Sequence, residues 1–418
     1  MEKVKFGGIM AFVYGDLKMK TTLNLNYGAV SALYWMSFGA IIPFASAFLL
    51  GNGYTNSEIG ILLSIASLLA TIMQPVLADI ADKQNKFTCI EVTGCVLMAI
   101  FVLNVFMLFT NHRTLGLTVT FGLIYAGNTA LQPLVNSICY KLEESGYHIN
   151  FGLWRGIGSL SYAIVSAILG TLVERIGTIV IPETEQLFVI LFLLALYFAR
   201  KNFKKAKEKK LDGDSTKDQE ERINLIDFVR NNKYFILLNV GVIFIYFQNS
   251  ILNTYMLQIV NNVGGTAQDM GFITAMKASL ELIPMALLDV FLKKFKSSTL
   301  LRFGAVGFVI KVGLILIAGS VPMLYLGNAM QIISLSFFLP AMVVFTKEIM
   351  KKGEAVKGQA FYVACTSVSG IFANLFGGML LDNLGAKAML GVAFTTTVIG
   401  AVIVFISISI LNRNNKKA

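Results

Sequence analysis

Long apolar stretches set what this chain can fold into. A helix that crosses a bilayer needs about 20 mostly apolar residues. Twelve segments meet that length, at 24–50, 57–80, 88–110, 114–140, 151–175, 184–200, 234–260, 267–293, 299–318, 322–346, 357–381 and 386–411. The first, second, fourth and tenth stand out; the eighth is the weakest, since Lys277, Glu281, Pro284 and Asp289 interrupt it. The expected fold class is therefore an all-α integral membrane protein with twelve transmembrane helices. Composition agrees, with 14% charged residues and a mean hydropathy of +0.69, against about 25% charged in soluble domains.

The net charge of +11 does not signal nucleic acid, because the basic residues lie between the apolar segments. With the N-terminus placed in the cytoplasm, 29 of the 35 Lys and Arg fall inside. Three fall outside (Arg113, Arg175, Lys387) and three within the membrane (Arg155, Lys277, Lys311). That asymmetry predicts cytoplasmic N- and C-termini, in a multi-pass protein of the cell membrane. Residues 1–23 have no cleavable signal pattern and form a cytoplasmic or interfacial segment. Cys89, Cys95, Cys139 and Cys365 sit in or beside apolar segments and are expected to be free thiols.

The chain divides near its middle. Residues 201–233 are a polar cytoplasmic linker between a first six-helix bundle (24–200) and a second (234–411), followed by a cytoplasmic tail (412–418). The two bundles echo each other. Gly170–Gly177 (GTLVERIG) recurs as Gly378–Gly385 (GMLLDNLG), 208 residues later. Ser57–Gly60 opens the second span much as Gln268–Gly271 opens the eighth. A parallel repeat of six helices is the layout of major facilitator transporters, whose halves rock about a central site.

The loop after the second span, Pro75–Lys86 (PVLADIADKQNK), resembles the major facilitator signature. Ala78 stands at its first glycine, Asp82 and Lys83 match its acidic–basic pair, Asn85 replaces its second glycine and Lys86 supplies the later base. The resemblance implies a conformational gating role for Asp82 and Lys83. A narrower likeness exists to the lactose-permease type of oligosaccharide/proton symporters, carried by Ser57–Lys86, Phe151–Ala163 (FGLWRGIGSLSYA) and Gly358–Leu390. It implies that Arg155 is the sugar-binding arginine and that Tyr162 takes the place of the tryptophan that stacks on the sugar ring. The chain departs from that family at other site positions. Asn136 and Ala278 stand where it has glutamates, Lys311 matches an arginine, Gln331 and Ser334 replace its histidine and glutamate, and Gly370 replaces a lysine. The usual proton relay is absent.

Residue chemistry supplies further candidates. Ionisable groups inside a membrane cost about 2.5–3.5 kcal/mol each on insertion scales and are commonly functional. Lys277 and Glu281 are spaced i, i+4 and can pair; with Lys311 they form an expected proton-coupling network centred on Glu281. Asn128, Gln132 and Asn136 share one face of the fourth helix, and Gln248, Asn249 and Asn253 lie on the seventh. Amides of this kind can bind hydroxyls or tie helices together. The expected substrate contacts are Arg155, Asn136, Tyr162, Gln132, Asn128, Glu281, Gln331 and Asn249. Tyr34, Trp35 and Tyr362 are aromatics that can stack on a ring.

The expected function is secondary active transport of a small polar solute, foremost a sugar, oligosaccharide or glycoside, with protons, by a monomer in the lipid bilayer. Efflux of drugs or metabolites, uptake of an acidic sugar or organic anion, and a non-transporting membrane sensor are alternatives. A net charge of +2 from Arg155, Lys277, Lys311 and Glu281 suits the anion reading. No phosphate loop, metal cluster or nucleophile motif is found, so no enzyme activity, cofactor or nucleic-acid partner is expected.

Overall fold

The computed structural model describes residues 2–83, 88–110, 112–209, 228, 230–351 and 354–415; the side chains of 2–15, 82, 83, 207–209, 286, 289, 414 and 415 lie outside the description. Among the described residues there is no strand. Seven helices make the first half: α1 (Glu2–Ile41), α2 (Ala45–Gly51), α3 (Asn56–Lys83), α4 (Cys89–Leu108), α5 (Leu115–Glu143), α6 (Phe151–Ile176) and α7 (Val180–Lys209). The second half holds α8 (Lys233–Thr254), α9 (Met256–Asn261), α10 (Ala267–Ala286), α11 (Leu288–Lys294), α12 (Ser297–Leu316), α13 (Val321–Ala329), α14 (Leu335–Ile349) and α15 (Ala355–Asn415). Most of the expected linker, residues 210–227, falls outside the description.

Each of the twelve expected spans falls on a helix or on neighbouring helical pieces. Among the described residues, eight helices are long and apolar enough to cross a membrane, or nine with the bent pair α1–α2. One of them, α15, is two helices joined at Gly385, whose φ of 78° breaks the run. An L-residue with a side chain avoids that left-handed region. The span-length helices that fall short in apolarity are α5 and α10. Their polar residues, Asn128, Gln132 and Asn136 on one and Lys277 and Glu281 on the other, account for the shortfall.

Several spans are broken. Pro43 follows the end of α1, and a proline cannot donate to the preceding turn. The tenth span, expected to be continuous, is interrupted between α13 and α14 by a 3₁₀ turn, Met330–Ile332. There the Gln331 side chain is drawn between two charged groups, and Ser336 Oγ donates to its freed carbonyl at 2.7 Å. Such discontinuities are tolerated in membranes where they face protein or a cavity.

The halves meet along two matching crossings, α6 on α10 and α3 on α15. The octapeptide echo is the contact itself. At its start, a side chain on Gly170 would lie 2.8 Å from the Ala267 carbonyl oxygen and Gly271 Cα, and one on Gly378 would lie 2.1 Å from the Asn56 carbonyl oxygen. Only glycine permits that approach. In its middle, Glu174 and Asp382 hold corresponding positions. Glu174 Oε2 accepts from the Ala267 N–H at 3.0 Å. Asp382 accepts from the N–H of Asn56 and Ser57 at 3.2 and 2.7 Å and from Asn56 Nδ2 at 2.9 Å. Each acid thus caps the first turn of the opposite half's helix, where free N–H groups and the helix dipole favour a negative charge. At its end, Gly177 and Gly385 both have positive φ, 105° and 78°, and turn the chain into the next helix. We call these two contacts clasps. They close the face of the molecule where α3 and α10 begin. Ser64 Oγ to the Ile371 carbonyl at 2.8 Å and Gln258 Nε2 to Asn56 Oδ1 at 2.9 Å tie the same region.

Three of the cysteines, Cys89, Cys139 and Cys365, are buried, Cys95 is exposed, and all four are free.

Candidate functional site

Between the halves, beneath the clasped face, lie two adjoining chambers of about 190 and 220 Å³. Together they reach the range of about 300–1,000 Å³ common for small-molecule sites. Trp35 and Phe38 from α1 and Arg155, Ser159 and Tyr162 from α6 form one wall of the first chamber. Asn253, Thr274, Lys277, Ala278, Glu281 and Gln331 form much of the other. Phe38, Tyr162, Asn253, Thr274 and Lys277 also border the second chamber, which extends to Ser67, Tyr125, Gly370 and Asn374.

The first wall is aromatic with a single charge. Arg155 lies over the Trp35 ring, its Cζ 4.0 Å from the centroid, and donates to Ser159 Oγ at 2.7 Å. Trp35 and Phe38 meet edge to face at 5.3 Å, and Tyr162 stands edge-on to Trp35 at 6.4 Å. A cation over an indole face is stabilised electrostatically and held in a fixed plane. No carboxylate among the described residues forms an ion pair with Arg155, so its remaining donors are available to a ligand.

The second wall is a relay of hydrogen bonds. Lys311, fully buried on α12, donates to Gln331 Oε1 at 2.5 Å. Gln331 Nε2 in turn donates to Glu281 Oε1 at 2.6 Å. The break in the tenth span puts Gln331 there. The expected Lys277–Glu281 pairing is not made: Lys277 turns toward α8 and donates to Asn253 Oδ1 at 2.8 Å. The spacing allows a pair on one face, but the amide across the helix interface is the partner taken. Lys277 is also well buried, with 6% of its surface exposed.

Arg155, Tyr162, Glu281 and Gln331 therefore converge on one chamber, with Lys277 at its wall and Lys311 one bond behind. Four other expected contacts lie elsewhere. Asn128 is fully buried and faces Glu185, while Gln132 and Asn136 are half-buried on α5, away from both chambers. Asn249 is buried on α8, and Asn253, one turn on, reaches the site instead. Tyr362 pairs with Tyr246, their hydroxyls 2.5 Å apart. The Asp82 and Lys83 side chains lie outside the described residues. Sequence reasoning did not single out Phe38, Ser159 or Thr274. The first two follow from spacing, since Phe38 is three residues from Trp35 and Ser159 four from Arg155 on their helices.

Glu185 was also missed. Ile181, Val189, Phe192 and Leu196 form a buried stripe on α7, and Glu185 is the one acidic member of it. That helical spacing was the available signal.

The chain matches the MFS_1 like family over residues 25–392. It belongs to that family, and so is a transporter of the major facilitator type. Solved structures with the same fold include the nucleoside transporter NupG, at 14% identity, with a TM-score of 0.72, 93% of this chain and 98% of that one covered. A second is the POT family transporter PepTSo, at 11% identity and a TM-score of 0.68, with 94% and 98% covered. A third is the xylose transporter XylE from E. coli, at 13% identity and a TM-score of 0.61, with 92% and 96% covered. No curated protein matches the chain.

Proposed function

We propose that this transporter moves a small polar solute bearing hydroxyls, foremost a sugar, oligosaccharide or glycoside, across the cell membrane by alternating access, coupled to protons. The observation that carries the reading is the convergence of Arg155 and its Trp35–Tyr162 aromatics with the Lys311–Gln331–Glu281 relay on one chamber. A ring can lie against the aromatics while Arg155, Asn253 and Gln331 bond its hydroxyls. Nucleosides share those features, and NupG is a nucleoside transporter, so they belong among the first ligands to try. In this reading the termini are cytoplasmic, the clasped face is external, and the protein works as a monomer.

Glu281 is the proton carrier in this scheme. It is the acidic group of the chamber wall, and Gln331 can report its state to Lys311 through two hydrogen bonds. Gating by Asp82 and Lys83 belongs to the same proposal. A second reading, an acidic sugar or small carboxylate, is favoured by one observation: Arg155 has no acidic partner among the described residues, and guanidinium pairs well with carboxylate.

A thermal-shift screen of purified protein against neutral sugars, nucleosides and carboxylates distinguishes these ligands. Uptake into proteoliposomes of whichever compound stabilises the protein then tests transport. Stabilisation by sugars or nucleosides supports the first reading. Stabilisation by carboxylates alone replaces it with the second.

A further inference from the structure

Away from both chambers, a carboxyl is sealed between three helices of the first half. Glu185 lies on α7, five residues after its start at Val180, about 8 Å along the helix at 1.5 Å per residue. It is 0% exposed, as is Asn128 of α5, and Ser37 of α1 is 1% exposed. Asn128 Nδ2 stands 2.9 Å from Glu185 Oε1. Ser37 Oγ stands 3.0 Å from each Glu185 oxygen and 3.1 Å from Asn128 Oδ1.

No described lysine or arginine pairs with Glu185. The groups facing it from neighbouring helices are mostly neutral. From α1 comes Tyr34, whose hydroxyl donates to the Asn128 carbonyl at 3.2 Å. From α4 comes Asn104, which donates to the Pro182 carbonyl at 3.2 Å. The nearest charge of α6 in the interior, Arg155, is held over Trp35, and Arg175 at the α6 end is exposed.

Hydrogen-bond accounting selects one protonation state. The Asn128 amide is fixed, since Nδ2 also donates to the Ile124 carbonyl at 3.2 Å. Its Oδ1 therefore faces Ser37. Ser37 has one proton to give. If Glu185 were a carboxylate, that proton would go to it, and Asn128 Oδ1 would be left buried against an oxygen with no donor. A buried acceptor without a donor is costly, and a buried unpaired carboxylate more so. With the acid protonated, Glu185 Oε2–H donates to Ser37, Ser37 donates to Asn128 Oδ1, and Asn128 Nδ2 donates to Glu185 Oε1. Each of the three bonds of this closed ring has one donor and one acceptor, and the approach of Ser37 Oγ to Glu185 Oε1 is then a contact without a hydrogen bond.

We propose that Glu185 is a second proton-binding site: it holds a proton while the α1–α5–α7 interface is sealed and releases it when water reaches that interface during transport. This rests on the proton-coupled reading above. Release breaks the Oε2–H bond and hands the proton to water, leaving a carboxylate that cannot remain in the sealed interface. The ring lies behind the aromatic wall of the solute site: Tyr34, whose hydroxyl donates to the Asn128 carbonyl, meets the Trp35 ring edge to face at 5.2 Å.

Infrared difference spectroscopy of the full-length transporter tests it. At neutral pH the wild type is expected to show a protonated-carboxyl stretch that Glu185→Gln removes and Glu281→Gln retains. Its intensity is expected to fall when the transport cycle is driven by a proton gradient. In proteoliposomes, Glu185→Gln is expected to keep solute counterflow and lose gradient-driven accumulation by about tenfold or more. Ser37→Ala, which keeps the acid and opens the ring, is expected to shift the stretch in frequency and serves if Glu185→Gln does not fold. No band sensitive to either change overturns the proposal, and so does a band that stays constant while Glu185→Gln accumulates solute like the wild type. If the wild type itself ignores the gradient, the proton-coupled reading fails, and the ground-state band still reports separately on the ring.

Discussion

The two halves are alike where they clasp and unlike where they line the chamber. At the closed face, one octapeptide does the same three things in each half: a glycine lets helices touch, an acid caps the opposite helix, and a left-handed glycine ends the run. In the chamber, the first half offers aromatics and Arg155, while the second offers Lys277, Glu281 and the Gln331–Lys311 relay. A gate used by two rocking halves works best as a matched pair. A site for one asymmetric solute gains from two different walls. The repeat therefore survives where the geometry must be symmetric and has diverged where chemistry must be specific.

Disrupting a clasp is the most severe way to break this comparison. Gly378→Val places a side chain against the Asn56 backbone, which cannot move aside as a flexible side chain would. Overpacking of this kind costs about 1–3 kcal/mol. With about 1.4 kcal/mol per tenfold, the ratio of closed to open molecules is expected to fall by roughly 5–140-fold. Labelling a cysteine introduced beside Ser67 in the second chamber, from the clasped side, measures it; unchanged labelling would show that the clasp does not gate access.

Glu281→Gln comes next and probes the unlike walls. Gradient-driven accumulation is expected to drop by about tenfold or more while counterflow persists, because Gln331 can still bond the new amide. Arg155→Lys is expected to weaken solute binding by about tenfold, the loss of a planar, stacked donor set, read as a rise in KM with little change in kcat. Unchanged affinity would remove Arg155 from the site while leaving the fold assignment intact.

The smallest effects return to the clasps. Asp382→Asn removes the charge of a cap with three bonds, and Glu174→Gln that of a cap with one. Capping losses run to about 1 kcal/mol, so Asp382→Asn should shift closure by about fivefold and Glu174→Gln by less. Distance distributions between spin labels on α3 and α15 check the order. Equal shifts would mean that the number of bonds at each cap is immaterial.

Much of this was legible in the sequence, for physical reasons. Apolar length marks spans, and a repeated octapeptide with its glycines marks a repeated contact. Arg155 and Glu281 stood out because charge is rare in an apolar helix. What escaped reading depended on the third dimension. The Lys277 partner is an amide on another helix, which i, i+4 spacing does not encode. Asn128 pointed along its helix face toward the expected site, yet its amide is taken by Glu185. The break at Gln331 has no proline or glycine within it, and follows from what Gln331 bonds.

The central claim is that a polar solute held between Arg155 and Glu281 is moved together with protons. Uptake of the solute found by thermal shift, into proteoliposomes with and without an inside-alkaline gradient, tests it most directly. The account predicts accumulation above equilibrium in the wild type only with the gradient, and none in Glu281→Gln. Equal accumulation without a gradient, or undiminished accumulation in Glu281→Gln, would contradict it.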